Sequence, residues 1–125
     1  RTADWFGFNH LFLSENCVEA YNSKVVAASM GSVFNVSINP EAKLKALIKD
    51  LKEEGYKIVV TDLMGDESNI DKKDKIALVI GNEAKGVDRK LISMADKRFK
   101  IMKSGKAESL NAAVAAGIVM NKIKF

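Results

Sequence analysis

Two unbroken apolar runs set the frame for the chain. Ile58, Val59 and Val60 sit together in residues 57–61, and Ala77, Leu78, Val79 and Ile80 in residues 76–80. A strand with one face in water alternates apolar and polar positions, so an unbroken run predicts burial on both faces, as in a parallel sheet covered by helices. Residues 40–54 carry Leu44, Leu47, Ile48 and Leu51 on one helical face, with Pro40 at the opening and Gly55 just past the end, a pattern that predicts a helix. Residues 19–30 also have helical spacing and stop at Gly31. Residues 87–95 and 109–124 read as helices, the second rich in Ala and Val, and residues 98–101 as a strand. Residues 10–13 are a short apolar run, and Val33, Phe34, Val36 and Ile38 predict an extended stretch before Pro40. Residues 66–75 form a polar loop of mixed charge. With no repeat, low-complexity tract or linker, the pattern predicts a single α/β domain over residues 1–125, its mostly parallel sheet flanked by helices.

Composition narrows the chemistry. A chain of 125 residues, 47% of them hydrophobic, is long enough for one core and too apolar for a solvated coil. No apolar run approaches the ~20 residues that cross a bilayer, so no membrane association is expected. One cysteine, Cys17, and one histidine, His10, leave no internal disulfide and no cysteine–histidine metal cluster, and no metal is expected. The first residues read as an amphipathic helix rather than a cleavable signal, so a cytoplasmic location is expected. The net charge of +4 is unevenly spread: Arg89, Lys90, Lys97, Arg98, Lys100, Lys103 and Lys106 face a single acid, Asp96, within residues 89–106, which makes that segment +6 and the remainder −2. One basic segment on a near-neutral domain fits a phosphate-rich partner, and equally a solvated lysine-rich surface.

Open parallel sheets bind ligands beyond the carboxyl ends of their strands. Three segments leave such ends here: residues 62–65, 81–86 and 102–108. Each holds a glycine, which lets a ligand approach the backbone closely. In the second, the strand runs straight into Gly81, Asn82 and Glu83, then Gly86 and a helix. Glu83 could accept hydrogen bonds from hydroxyls, or Asn82 and Glu83 could simply cap the helix that begins near Val87. In the third, Ile101 and Met102 lead through Lys103, Ser104, Gly105 and Lys106 to Ser109, Leu110 and Asn111 at a helix start. Ser109 is a natural N-cap there, and Leu110 points at a core or at an apolar ligand ring. Thr61 and Asp62 end a strand at the predicted cleft, either as ligand contacts or as an ordinary turn.

Together with Arg1-Thr2-Ala3-Asp4-Trp5-Phe6-Gly7, these segments resemble the SpoU–TrmH family of SPOUT RNA methyltransferases. The opening is similar to the family's first motif, an arginine followed by a small-residue helix and glycine. Gly81, Glu83 and Gly86 match the second, strand-Gly-x-Glu-x-x-Gly. Residues 101–111 match in part the third, Ile-Pro-Met followed by a loop and Ser-Leu-Asn; the proline after Ile101 is absent here, and Lys103 stands where an apolar residue is usual. Ala28-Ser29-Met30-Gly31-Ser32 looks like the family's linking segment. The family's first strand and any N-terminal RNA-binding extension are expected to be missing from residues 1–125.

The resemblance implies a SPOUT-type fold with a deep C-terminal trefoil knot, S-adenosylmethionine bound in that knot, and transfer of its methyl group to a ribose 2′-hydroxyl of tRNA or rRNA. By the same resemblance Arg1 would activate the hydroxyl, with Glu83, Ser109 and Asn111 completing the catalytic group. Thr61, Asp62, Leu63, Gly65, Gly81, Asn82, Glu83, Gly86, Ile101, Met102, Ser109, Leu110 and Asn111 would hold the cofactor, and Arg89, Lys90, Lys97, Arg98, Lys103 and Lys106 the RNA. A homodimer through the last helix is also implied, with Ala112, Ala113, Ala116 and Gly117 allowing close approach; ordinary packing within one subunit accounts equally well for that stripe. The competing expectation is an RNA- or cofactor-binding module of the same fold with impaired catalysis, drawn from the altered 101–105 loop and the shortened first motif.

Overall fold

A computed structural model of the chain describes residues 1–67 and 69–125; Ser68, in the predicted 66–75 loop, lies outside the described residues. The chain divides into two compact units, Arg1–Leu47 and Ile48–Phe125.

In the first unit, α1 (Thr2–Trp5) leads to β1 (His10–Phe12), α2 (Ser23–Ser29), a 3-10 turn (Ser32–Phe34) and β2 (Ser37–Asn39). Strands β1 and β2 pair in parallel, with Leu11 opposite Ile38. Two expectations are corrected here by side-chain and backbone competition. The helix predicted over residues 19–30 starts only at Ser23, because Asn22 caps it: its side chain accepts from the Val25 amide at 3.0 Å and donates back to the Glu19 carbonyl at 3.0 Å. The extended stretch predicted from Val33 is limited to residues 37–39, because Met30 and Gly31 both take left-handed conformations (φ 51° and 88°) and turn the chain into the 3-10 segment.

Helix α3 (Leu44–Glu53) runs across the division between the units. The predicted face is correct, with Ile48 buried and Leu44, Leu47 and Leu51 half-buried. Its predicted start at Pro40 is not. Glu41 takes a left-handed φ of 55°, and the Ala42 amide donates to the Leu13 carbonyl at 2.7 Å, so the chain turns before the helix begins.

The second unit contains β3 (Tyr56–Asp66), β4 (Lys75–Val79), α4 (Arg89–Met94), β5 (Lys97–Phe99) and α5 (Ala112–Lys124). Its sheet has the order β4-β3-β5 and is parallel throughout. The central strand carries the core: Ile58, Val59 and Val60 are 0%, 2% and 0% exposed, as the unbroken apolar run requires. Leu91 of α4, Phe99 of β5, and Ala116, Val119, Met120 and Ile123 of α5 are also buried. The architecture is therefore α/β, with parallel sheets and helices.

Asp96, just before β5, locks the entry of β3. Its carboxylate accepts from the Ile58 amide at 2.8 Å and pairs with Lys52 Nζ at 3.3 Å, while Lys52 also donates to the Met94 carbonyl at 2.8 Å. Partial burial works to raise the Asp96 pKa, but the Ile58 amide and Lys52 outweigh it and hold the carboxyl below its ordinary value. A depressed folded-state pKa contributes stability that is present above the unfolded value and lost as pH falls through the folded one. Asp96→Asn should therefore lower stability near neutral pH by about 1 kcal/mol or less, since both partners are partly solvated. The gap between variant and wild type should close in acid, below the ordinary carboxylate range, as read from urea midpoints across pH.

Candidate functional site

Beyond the carboxyl ends of β3, β4 and β5 lies a cleft of about 1010 Å³. Three walls make it: residues 61–64 from β3, residues 80–87 after β4, and the irregular segment after β5 that includes Ile101, Met102, Ser109 and Leu110. The three separated segments that the sequence placed at strand ends thus converge on one cavity, all within the second unit.

Local chemistry explains each wall. Asn82 shapes its own turn rather than capping a helix: its side-chain oxygen accepts from the Ala84 and Lys85 amides at 2.8 and 3.1 Å, and its backbone exchanges two hydrogen bonds with Gly86 at 2.8 and 3.1 Å. The cap of α4 is Asp88, which accepts from the Lys90 amide at 2.7 Å; the capping alternative for Asn82 and Glu83 is thereby corrected. Gly81 is required by close backbone approach, because a Cβ there would lie 2.3 Å from the Gly86 carbonyl carbon and 2.4 Å from the Val87 nitrogen. The neighbour that excludes a side chain is thus the chain itself, not a ligand.

After β5 the helix begins later than predicted. Asn111 is the N-cap of α5, its side-chain oxygen accepting from the Ala113 and Val114 amides at 2.9 and 3.3 Å. Ser109, expected as the cap, lines the cleft instead, because the asparagine two residues on supplies the oxygen that the first turn needs. Lys103 also lines the cleft, and its Nζ donates to the Ala107 carbonyl at 3.0 Å, closing the loop on itself.

The β3 wall is a bulge, not the plain strand-end loop that was expected. Thr61 and Asp66 both register opposite Phe99, so residues 62–65 loop out of the ladder between them. The side chain of Thr61 reaches the Val79 carbonyl at 3.4 Å, and that of Asp62 accepts from the Met64 amide at 3.1 Å. Asp62 also pairs with Arg98, whose Nε and Nη2 lie 2.6 and 2.5 Å from one carboxylate oxygen. Burial would raise the Asp62 pKa, yet the Met64 amide and the Arg98 guanidinium together hold it below the ordinary value.

Of the residues singled out as cofactor ligands, Thr61, Asp62, Leu63, Gly81, Asn82, Glu83, Gly86, Ile101, Met102, Ser109 and Leu110 line the cleft. Gly65 and Asn111 do not; Gly65 faces a separate hollow of about 560 Å³ with Asp66, Asp96 and Lys97. Arg1 is an exposed residue at the head of α1 in the first unit. Among the basic residues, Arg89 and Lys90 are exposed on α4 and Lys106 on the loop before α5, whereas Lys97 Nζ donates to the Asn69 carbonyl and Arg98 is committed to Asp62. Lys85 and Glu108 also line the cleft and were missed. Each is next to or between predicted ligands, so proximity in sequence was the available signal. No group of three metal-ligating side chains occurs among the described residues, and no helix there is long and apolar enough to cross a membrane.

A model of the SpoU rRNA methylase family matches residues 1–121. The chain belongs to that family. Its relatives include the Bacillus subtilis 23S rRNA (guanosine(2553)-2′-O)-methyltransferase RlmP, 33% identical over 99% of this chain and 50% of the relative. Among solved structures, the S-adenosylmethionine-bound rRNA methyltransferase of Sinorhizobium meliloti is similar with a TM-score of 0.90 at 33% identity, covering 99% of this chain and 48% of that one. AviRb of Streptomyces viridochromogenes, solved with the same cofactor, gives a TM-score of 0.86 at 27% identity, over 98% of this chain and 51% of that one. The chain spans about half the length of these relatives.

Proposed function

We propose that the cleft binds S-adenosylmethionine and that the protein transfers its methyl group to a ribose 2′-hydroxyl of tRNA or rRNA. The observation that carries this reading is the convergence of the three strand-end segments on one cavity. The lining fits the group: about 1010 Å³ is ample for a ligand of this size. Ile80, Ile101, Met102 and Leu110 offer apolar surface for an adenine ring, while Glu83 and Glu108 with Lys85 and Lys103 give the lining charges of both signs, suited to a ligand that carries a cationic sulfonium and ammonium beside a carboxylate. When bound, the cofactor supplies an electrophilic methyl carbon.

The protein's own part is orientation and electrostatics. Holding the hydroxyl in line with the methyl carbon is a large part of any such rate gain. Arg1, by the family resemblance, acts on that hydroxyl. A guanidinium stays protonated, so its contribution is to bind the adjacent phosphate and favour loss of the hydroxyl proton to solvent water by charge rather than to accept the proton. Glu83 and Ser109 contribute to the geometry from the cleft wall, while Asn111 contributes by fixing the start of α5. Arg89, Lys90 and Lys106 grip the RNA backbone, with affinity that falls as salt rises.

The finer architecture belongs to the same proposal: a trefoil knot at the C-terminal segment, a homodimer through α5, and action in the cytoplasm. Support for the dimer is the apolar face left on α5, where Val114 is 51% and Ile118 39% exposed, while Ala116 is used up in the unit's own core. Sedimentation should give twice the monomer mass; a monomer at all concentrations contradicts it.

Incubation with methyl-labelled S-adenosylmethionine and total tRNA or rRNA should place label on ribose oxygens, found as alkali-resistant dinucleotides. Label confined to bases contradicts the reaction. Cofactor binding without transfer supports the catalytically impaired alternative.

A further inference from the structure

The wall formed by residues 62–65 has an unusual construction. It leaves the β3–β5 ladder after Thr61 and rejoins it at Asp66, both opposite Phe99. Its two apolar side chains do not pack into the core: Leu63 and Met64 are 69% and 80% exposed at the cleft. What holds the bulge is polar. The Asp62 side chain, 12% exposed, accepts from the Met64 amide through one carboxylate oxygen and from Arg98 Nε through the other, with Arg98 Nη2 in ion-pair contact with that same oxygen. Behind it, Gly65 lies so close to β5 that a Cβ would sit 2.4 Å from the Arg98 carbonyl oxygen. Arg98 therefore meets the bulge twice, once through its backbone and once through its side chain.

We propose that Arg98 and Asp62 form a positioning clamp that presents Leu63 and Met64 to the ligand in the cleft, so that Arg98 serves the cofactor wall and not the RNA backbone. This rests on the reading of the cleft as the S-adenosylmethionine site. Nε and Nη2 of the planar guanidinium converge on one carboxylate oxygen and pin it from two directions, which an ammonium, a single point charge, does less well, while the Met64 amide holds the other oxygen. With the carboxylate fixed, its second oxygen fixes the Met64 amide and with it the tip of the bulge. An exposed apolar tip without such a tie would be free to leave the cleft, and bound ligand would escape faster. The clamp should act on ligand affinity and little on turnover at saturation.

The test is calorimetric titration of the intact chain with S-adenosylmethionine, joined to hydrogen exchange at the Met64 amide. Arg98→Ala and Asp62→Asn should each raise Kd by roughly tenfold, the scale of one charge-assisted hydrogen-bond pair. The double variant should be no weaker than the worse single one, since both remove the same interaction. Arg98→Lys should fall between wild type and Arg98→Ala. Met64 should lose exchange protection in both single variants. Unchanged Kd in both single variants, or losses that simply add in the double, overturns the clamp. So does an Arg98→Ala variant with intact cofactor affinity whose RNA binding loses about one unit of salt slope, the mark of a phosphate contact. If the wild type binds no S-adenosylmethionine, the reading of the cleft fails, and retained Met64 protection in the variants would separately defeat the clamp.

Discussion

Arg1→Ala is expected to lower methyl transfer by roughly 10²–10³-fold, the usual scale for losing one group that stabilises developing negative charge, with S-adenosylmethionine affinity unchanged. The split follows from the roles proposed for these residues. The proposed cofactor contacts all come from residues 61–115 of the second unit, while Arg1 heads α1 in the first, its side chain making no cap bond to that helix. Arg1→Lys keeps the charge but loses the planar fork, so it should recover only part of the rate. Single-turnover transfer beside calorimetry on the same preparations reads both quantities. A variant that binds cofactor and transfers at the wild-type rate would remove Arg1 from the reaction.

Gly81→Ala should have the largest effect on the site's integrity. The added methyl would lie 2.3 to 2.6 Å from three backbone atoms of Gly86 and Val87. Backbone cannot swing aside as a side-chain tip does, so the turn closed by the reciprocal Asn82–Gly86 hydrogen bonds must open. Overpacking of this kind costs about 1–3 kcal/mol, and it strikes one wall of the cleft directly. The urea midpoint should fall by that amount and S-adenosylmethionine affinity should drop with it. Gly105→Ala is the control, because its Cβ would meet nothing within 4 Å; it should leave the midpoint alone. Equal behaviour of the two variants would contradict the close-approach account.

The parallel α/β core was legible because burial on both faces of a strand leaves a direct mark, the apolar run at 58–60. The run at 77–80 also marked a strand, but the expected burial on both its faces is corrected, because β4 lies at the edge of the sheet and Ala77, Leu78, Val79 and Ile80 are only half-buried. The site was legible because ligand-binding segments of such sheets follow strand ends, and glycines at 81 and 86 marked one of them. Boundaries were harder, and for one recurring reason: short polar side chains took hydrogen bonds that the simple pattern assigned elsewhere. Asn22, Asp88 and Asn111 each cap a helix later than its apolar spacing begins. Left-handed Met30 and Glu41 were invisible because neither residue type announces that conformation. The partner of Arg98 was hidden for another reason. Counting charges along residues 89–106 treats every cation as available, whereas Arg98 finds Asp62 thirty-six residues earlier, a long-range pairing that spacing cannot show.

The convergence of three walls on one ligand is tested most directly by following backbone amide signals while S-adenosylmethionine is titrated into the intact chain. The account predicts saturable shifts in all three segments together, at residues 61–64, 80–87 and 101–110, fitting a single dissociation constant. Shifts confined to one of these segments, or to residues outside them, would contradict it.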